Sequence, residues 1–157
     1  MPPSGVLKDT DKGFRKLVTK LKGIGAGKVL TVGIHAGEGE SPDGKATLLE
    51  VATIHEYGLG HNPQRSFIRA WADDHESENR KALRSVGIEV LKGTYTIDVG
   101  LGRLGALFQG QIQARISSNI PPPLAPATIA RKGSSVALIR YGTLRAAITW
   151  KVEDASG

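Results

Sequence analysis

The chain has 157 residues and a net charge of +6, with 39% apolar and 23% charged residues. That is enough apolar side chain for one packed core and too little charge for a disordered polyelectrolyte. The absence of cysteine excludes disulfides, thiolate nucleophiles and cysteine zinc sites, and no apolar run approaches the roughly 18 to 20 residues of a bilayer span.

The first residues, MPPSGVLKDTDKG, lack the apolar stretch and small-residue cleavage site of a secretory signal, and residues 1–10 and 153–157 are expected as flexible tails. Phe14, Leu17, Val18 and Leu21 recur at helical spacing among lysines and an arginine, which predicts a short amphipathic helix with a basic outer face, ending at Gly23. After GIGAG, the β-branched run from Val29 to Ile34 predicts a strand. Residues 37–44 form a loop or hairpin tip, and Ala46 to Tyr57 predicts a helix stopped by Gly58.

A second loop, GLGHNPQR, precedes the stretch from Ser66 to Lys92, expected as the longest helix. Its apolar residues cluster at the two ends around the polar centre DDHESENRK, so both ends should pack while the centre faces water or a charged neighbour. TYTIDV is expected as a short strand, and Leu104 to Ile116 as an amphipathic helix ending near Asn119. Prolines break the segment IPPPLAPATIARKG, with a turn of helix around Thr128 to Arg131. LIRYGTLRAAI predicts a further short helical piece, and Ala147 to Val152 a closing strand. The sum is an α+β class: three or four helices, one of them long, against a small, mostly antiparallel sheet with extended loop and arm segments.

Charge is polarised along the chain: residues 8–28 carry seven basic and two acidic groups, while 29–64 carry one basic and five acidic groups. Such segments can complement one another between copies, or simply make a mixed solvated surface.

Motifs for small-molecule chemistry are poor. KGIGAGK at 22–28 lacks the first glycine and the Ser/Thr of a phosphate loop, and it lies between helix and strand rather than strand and helix. His55, Glu56 and His61 have a histidine spacing of six, where a zinc protease needs i and i+4, and His35 and His75 are scattered. Asp73, Asp74, Glu76 and Glu78 fall in the order of a solvated helix face, and no nucleophile triad or carboxylate pair has local support, so neither an enzyme, a metal nor a cofactor is expected. The basic N-terminal helix that ends at Gly23 is the best nucleic-acid candidate, without interleaved aromatics; a small basic DNA-binding protein, binding through the cations of residues 12–28, stands as the alternative of another class.

Three stretches carry a resemblance. IHEYGLGHNPQRSFIR, from Ile54 to Arg69, resembles the "EFG … IPARPFLR" signature of a family of tailed-phage tail completion and head-tail joining proteins, which includes the lambda minor tail protein Z and proteins called virion morphogenesis proteins. The matching positions are Glu56, the aromatic Tyr57, Gly58, Pro63, Arg65, Phe67 and Arg69, while Gln64 and Ser66 replace the small residue and proline usual there. PPLAPATIARK at 122–132 is similar to "PPLSPxTIxRK", and LIRYGTLRAAITWKV at 138–152 to "PLIDTGxLxxSITYxV", with Arg140 and Tyr141 in place of Asp-Thr.

The resemblance, over about residues 46–153, implies one tail completion or neck-type domain over 1–157. It implies a non-enzymatic virion protein at the head-proximal end of the tail, assembled in the host bacterial cytoplasm. Its implied partners are copies of itself in a ring, expected as a hexamer, a head-tail connector or stopper, a tail terminator or tail tube protein, and genomic DNA passing non-specifically through the lumen. A tail terminator or connector of an adjacent ring is the alternative. The positions carried over as assembly interface are Glu56, Gly58, Pro63, Arg65, Phe67, Arg69, Pro122, Pro123, Leu124, Thr128, Lys132, Gly142 and Leu144.

Overall fold

A computed structural model of the chain describes residues 27–37, 39–42 and 44–155; the basic helix expected at 14–22 lies outside them. The described residues hold two strands and six helices: β1 (Lys28–Gly33), α1 (Leu48–Tyr57), α2 (Arg69–Asp74), α3 (Glu76–Lys92), α4 (Ile97–Ser117), α5 (Pro126–Lys132), α6 (Thr143–Ala146) and β2 (Thr149–Asp154). The α+β class holds. No helix among the described residues is long and apolar enough to cross a membrane.

Two expectations are corrected. The helix expected from Ser66 to Lys92 is two helices, α2 and α3, broken at His75, whose φ of −112° and ψ of 14° are not helical. It begins only at Arg69, because the amides of residues 67–69 donate to a side chain from another element, described below. The strand expected at TYTIDV is the start of α4: Thr96 accepts the Val99 amide as an N-cap and leads into a helix of 21 residues, the longest described.

α4 is the central element. Leu104, Phe108, Ile112 and Ile116 recur every fourth residue and form its buried stripe, on which Phe67, Trp71, Leu138, Leu144 and Ile148 close the core. The Trp71 ring lies 5.2 Å from the Phe108 ring in a tilted arrangement, and its indole N–H donates to Gln111 Oε1 at 3.1 Å. β1 and β2 pair antiparallel, with Leu30 opposite Val152 and Val32 opposite Trp150, and both lie along α4. Lys28 binds Asp98 at the start of α4 and Asp154 at the end of β2, tying the sheet's end to the helix.

Glycines in α4 decide how closely its neighbours approach. A Cβ at Gly105 would lie 2.6 Å from Trp150 Cγ and 3.0 Å from Leu30, so this position is a notch for the β2 tryptophan. Gly110, on the exposed side of the same helix, has nothing within 4 Å. Alanine should therefore act with opposite sign at the two positions. In urea unfolding, Gly105→Ala is expected to lower stability by about 1 to 2 kcal/mol, overpacking outweighing helix propensity. Gly110→Ala should raise it by up to ~1 kcal/mol.

Candidate functional site

α1 starts with a capping box: Thr47 Oγ1 accepts from the Glu50 amide, and the Glu50 carboxylate accepts from the Thr47 amide. It ends at Gly58, whose φ of 68° is left-handed and where a Cβ would meet the Gln64 backbone nitrogen at 2.7 Å, so the loop after α1 folds back over its own helix end. Between these ends the buried stripe is Leu48, Ala52 and Glu56, spaced by four. An acid in the third place of that stripe is buried, and it sits in the last turn, where the helix dipole disfavours negative charge.

The Glu56 carboxylate is compensated from outside its own helix. Oε1 accepts from the Ser66 hydroxyl at 2.6 Å and the Arg69 amide at 2.9 Å, and Oε2 accepts from the Phe67 amide at 2.8 Å and the Ile68 amide at 3.1 Å. Four donors thus surround one carboxylate, three of them backbone N–H groups at the N-terminal end of α2. Burial alone pushes this carboxyl up, yet the bonds from Ser66, Phe67, Arg69 and Ile68 hold it below the ordinary glutamate value. Ser66 Oγ also accepts the Ala70 amide at 3.1 Å, so the side chain that departs from the resembling signature satisfies a backbone donor in the first turn of α2.

Arg65 makes the second tie. Its amide donates to the His55 carbonyl at 2.7 Å, and its buried guanidinium gives two bonds to the Pro122 carbonyl, from Nε at 3.2 Å and Nη2 at 2.7 Å. Lys132, at the end of α5, donates to the carbonyls of Val136 and Ala137 and so holds the chain that leads to α6. The three stretches that carry the resemblance therefore meet in space, through Arg65 on the proline segment and through Phe67, Leu144 and Ile148 in one core, with Lys132 holding the turn that leads into the third stretch.

The residues of that pattern divide by location. Glu56, Arg65, Phe67 and Leu144 are buried inside the subunit and spent on its own contacts. Pro63, Arg69, Pro122 and Pro123 are exposed, with the Arg69 guanidinium 5.4 Å from the Tyr57 ring centre; Leu124, Thr128, Lys132 and Gly142 are half-buried. Gly142, with a φ of 77°, precedes α6.

The histidines are dispersed. His35 bonds the Thr31 and Thr149 hydroxyls, each at 2.9 Å, His75 bonds the Trp71 carbonyl at 3.0 Å, and His61 is exposed. His55 lines a cavity of about 270 Å³ together with Lys45, Lys132 and Arg140, and its Nδ1 is buried without a hydrogen-bond partner. Such an atom costs about 1 to 3 kcal/mol while unsatisfied. Burial first, then the charges of Arg65 and Lys132, push its imidazole below the ordinary histidine value. Among the described residues, no three His, Asp or Glu side chains are grouped to hold a metal ion.

Sequence reasoning passed over Ser66 as a donor and the joint placement of His55, Lys132 and Arg140. The signal for the first was a cap residue three positions before a helical run, and nothing local marks the second, since its members are 77 residues apart or more along the chain from His55.

Comparison with protein-family models, curated proteins and solved structures finds no match to this chain.

Glu56→Gln places an amide NH2 against groups that are themselves donors. It is expected to lower the free energy of unfolding by about 3 kcal/mol, from the strength of bonds to a charged acceptor. Chemical denaturation at neutral pH checks this, and a loss within error of zero would mean the carboxylate does not anchor α2.

Proposed function

We propose that the chain is a structural subunit of a tailed phage or prophage virion, one copy of a ring, six copies in the simplest case, that completes the tail and joins it to the head connector. The observation that carries this reading is the convergence of the three resembling stretches on one node. Glu56 joins the two ends of the first stretch, Arg65 ties that stretch to the proline segment, and Phe67, Leu144 and Ile148 bring the first and third stretches into one core, so the pattern is a set of mutually dependent contacts rather than three separate likenesses.

In this reading the buried part of the pattern holds the subunit's shape, and its exposed part is the contact face. Pro122 and Pro123 have fixed backbone angles and are tethered by Arg65, so a neighbour that docks on them meets a segment already ordered. Large apolar side chains also stand exposed on the sheet and on α4, with Val29 44% and Leu107 46% accessible, surface that a neighbouring copy would cover. DNA in the lumen would meet phosphate-facing cations without base readout, which a net charge of +6 supplies. The connector or stopper would lie on one side of the ring and the terminator or tail tube on the other.

The experiment is assembly of the full chain, alone and mixed with purified tail tubes or connectors, followed by native mass measurement and negative-stain imaging. The expected result is a closed ring on the mixed particles, whether or not the isolated chain is monomeric. Monomers under every condition, with no added density at the neck or tail end, would overturn the proposal.

A further inference from the structure

The cavity beside α1 has a chemistry that the ring contacts do not use. Lys45, His55, Lys132 and Arg140 line it, and none of its described lining residues is a carboxylate. The rest of the wall includes Leu48, Val51, Leu138 and Leu144, so cations sit at an apolar surface rather than on an open basic face. Two of the three ammonium protons of Lys132 go to the Val136 and Ala137 carbonyls, which leaves a third for another acceptor. The cations are near enough to oppose one another: burial first, then Arg65 and Arg140, push Lys132 below its ordinary value. The Arg140 guanidinium carbon lies over the Tyr141 ring, 5.0 Å from its centre, a contact with the ring face that itself uses no N–H donor as a hydrogen bond.

The geometry points to an anion site: we infer that this cavity binds a carboxylate carried on a short apolar stem, the group offered by a small organic acid or by a glutamate side chain of a docking chain. The carboxylate would be received by His55, Lys132 and Arg140, and the stem by the aliphatic wall. A phosphate lacks the stem and gains nothing from Leu48, Val51, Leu138 and Leu144. A bound anion also relieves the mutual repulsion of the lysine, the arginines and an imidazolium, so ligand and His55 proton should favour one another. Among the described residues, the titratable side chains that line the cavity with His55 are Lys45, Lys132, Arg140 and Tyr141, Arg65 and Lys132 act on its charge, and none of these is a carboxylate.

The test uses the full labelled chain and NMR titration at constant ionic strength, with hexanoate, hexylammonium, inorganic phosphate and the blocked peptide acetyl-Leu-Glu-Leu-amide as probes. Saturable shifts at Val51, His55 and Leu144 with hexanoate or the peptide, at a Kd on the order of millimolar, support the site. Tighter binding of hexanoate assigns a free acid, and tighter binding of the peptide assigns a chain segment. The exposed Arg140→Gln should weaken either ligand roughly tenfold, as for loss of one charge-assisted bond. Affinity should rise as the pH falls through the His55 titration, with the His55 midpoint moving up when ligand is bound. Hexylammonium binding as well as hexanoate, phosphate binding more tightly than both carboxylates, or no saturable shift with either carboxylate would each overturn the inference. An Arg140→Gln protein with unchanged affinity and no movement of the His55 midpoint would do the same.

Discussion

A single buried carboxylate sets the geometry of the middle of this protein. Glu56 lies in the last turn of α1, where its own helix offers no stabilisation, and takes four hydrogen bonds from Ser66 and the amides that open α2. Satisfying those donors with one acceptor requires the loop between α1 and α2 to return over the helix end, which Gly58 permits through its left-handed backbone. The return delivers Phe67 to zero exposure in the core and Trp71 to its tilted contact with Phe108. It also aims Arg65 at the Pro122 carbonyl, so the position of the proline segment depends on the same turn.

From that node the rest of the molecule follows by packing on α4. The helix offers one aliphatic stripe to the loop and the C-terminal segments, and small residues to its other neighbours, with Gly105 accommodating Trp150 and Gly100 facing Val86 and Val90 of α3. The two-stranded sheet has little stability alone and owes its place to that helix and to Lys28, which spans Asp98 and Asp154. A basic, partly apolar cavity is left between α1 and the segment from Lys132 to Leu144.

Elements whose ends carry local punctuation were legible in the sequence. β1, α1 with its Gly58 stop, the proline-led α5 and β2 lie within one or two residues of expectation. The misread stretches are those where a distant group decides. Residues 66–68 have the pattern of a helix start, yet their amides serve Glu56, and His75 interrupts the run with no glycine or proline to mark it. TYTIDV has the composition of a strand, and its glycine-rich continuation argues against helix until Trp150 and Val86 are seen to need the space. For the site, the acid within the Leu48, Ala52, Glu56 stripe was a readable sign of a buried partner, whereas the cavity gathers His55 with residues from the far end of the chain and has no local signature.

The central claim is that Glu56 stays ionised because four donors outweigh its burial. Its folded-state midpoint therefore lies below that of the unfolded chain, so its stabilisation is complete above the unfolded value of about 4.3 and is lost as the pH falls through the folded midpoint. Titration of the Glu56 side-chain carboxyl by carbon-detected NMR tests this directly. The account predicts a midpoint below the ordinary glutamate value, with the Phe67, Ile68 and Arg69 amide shifts moving at the same pH. A midpoint at or above the ordinary value, or amides that do not follow it, would contradict it.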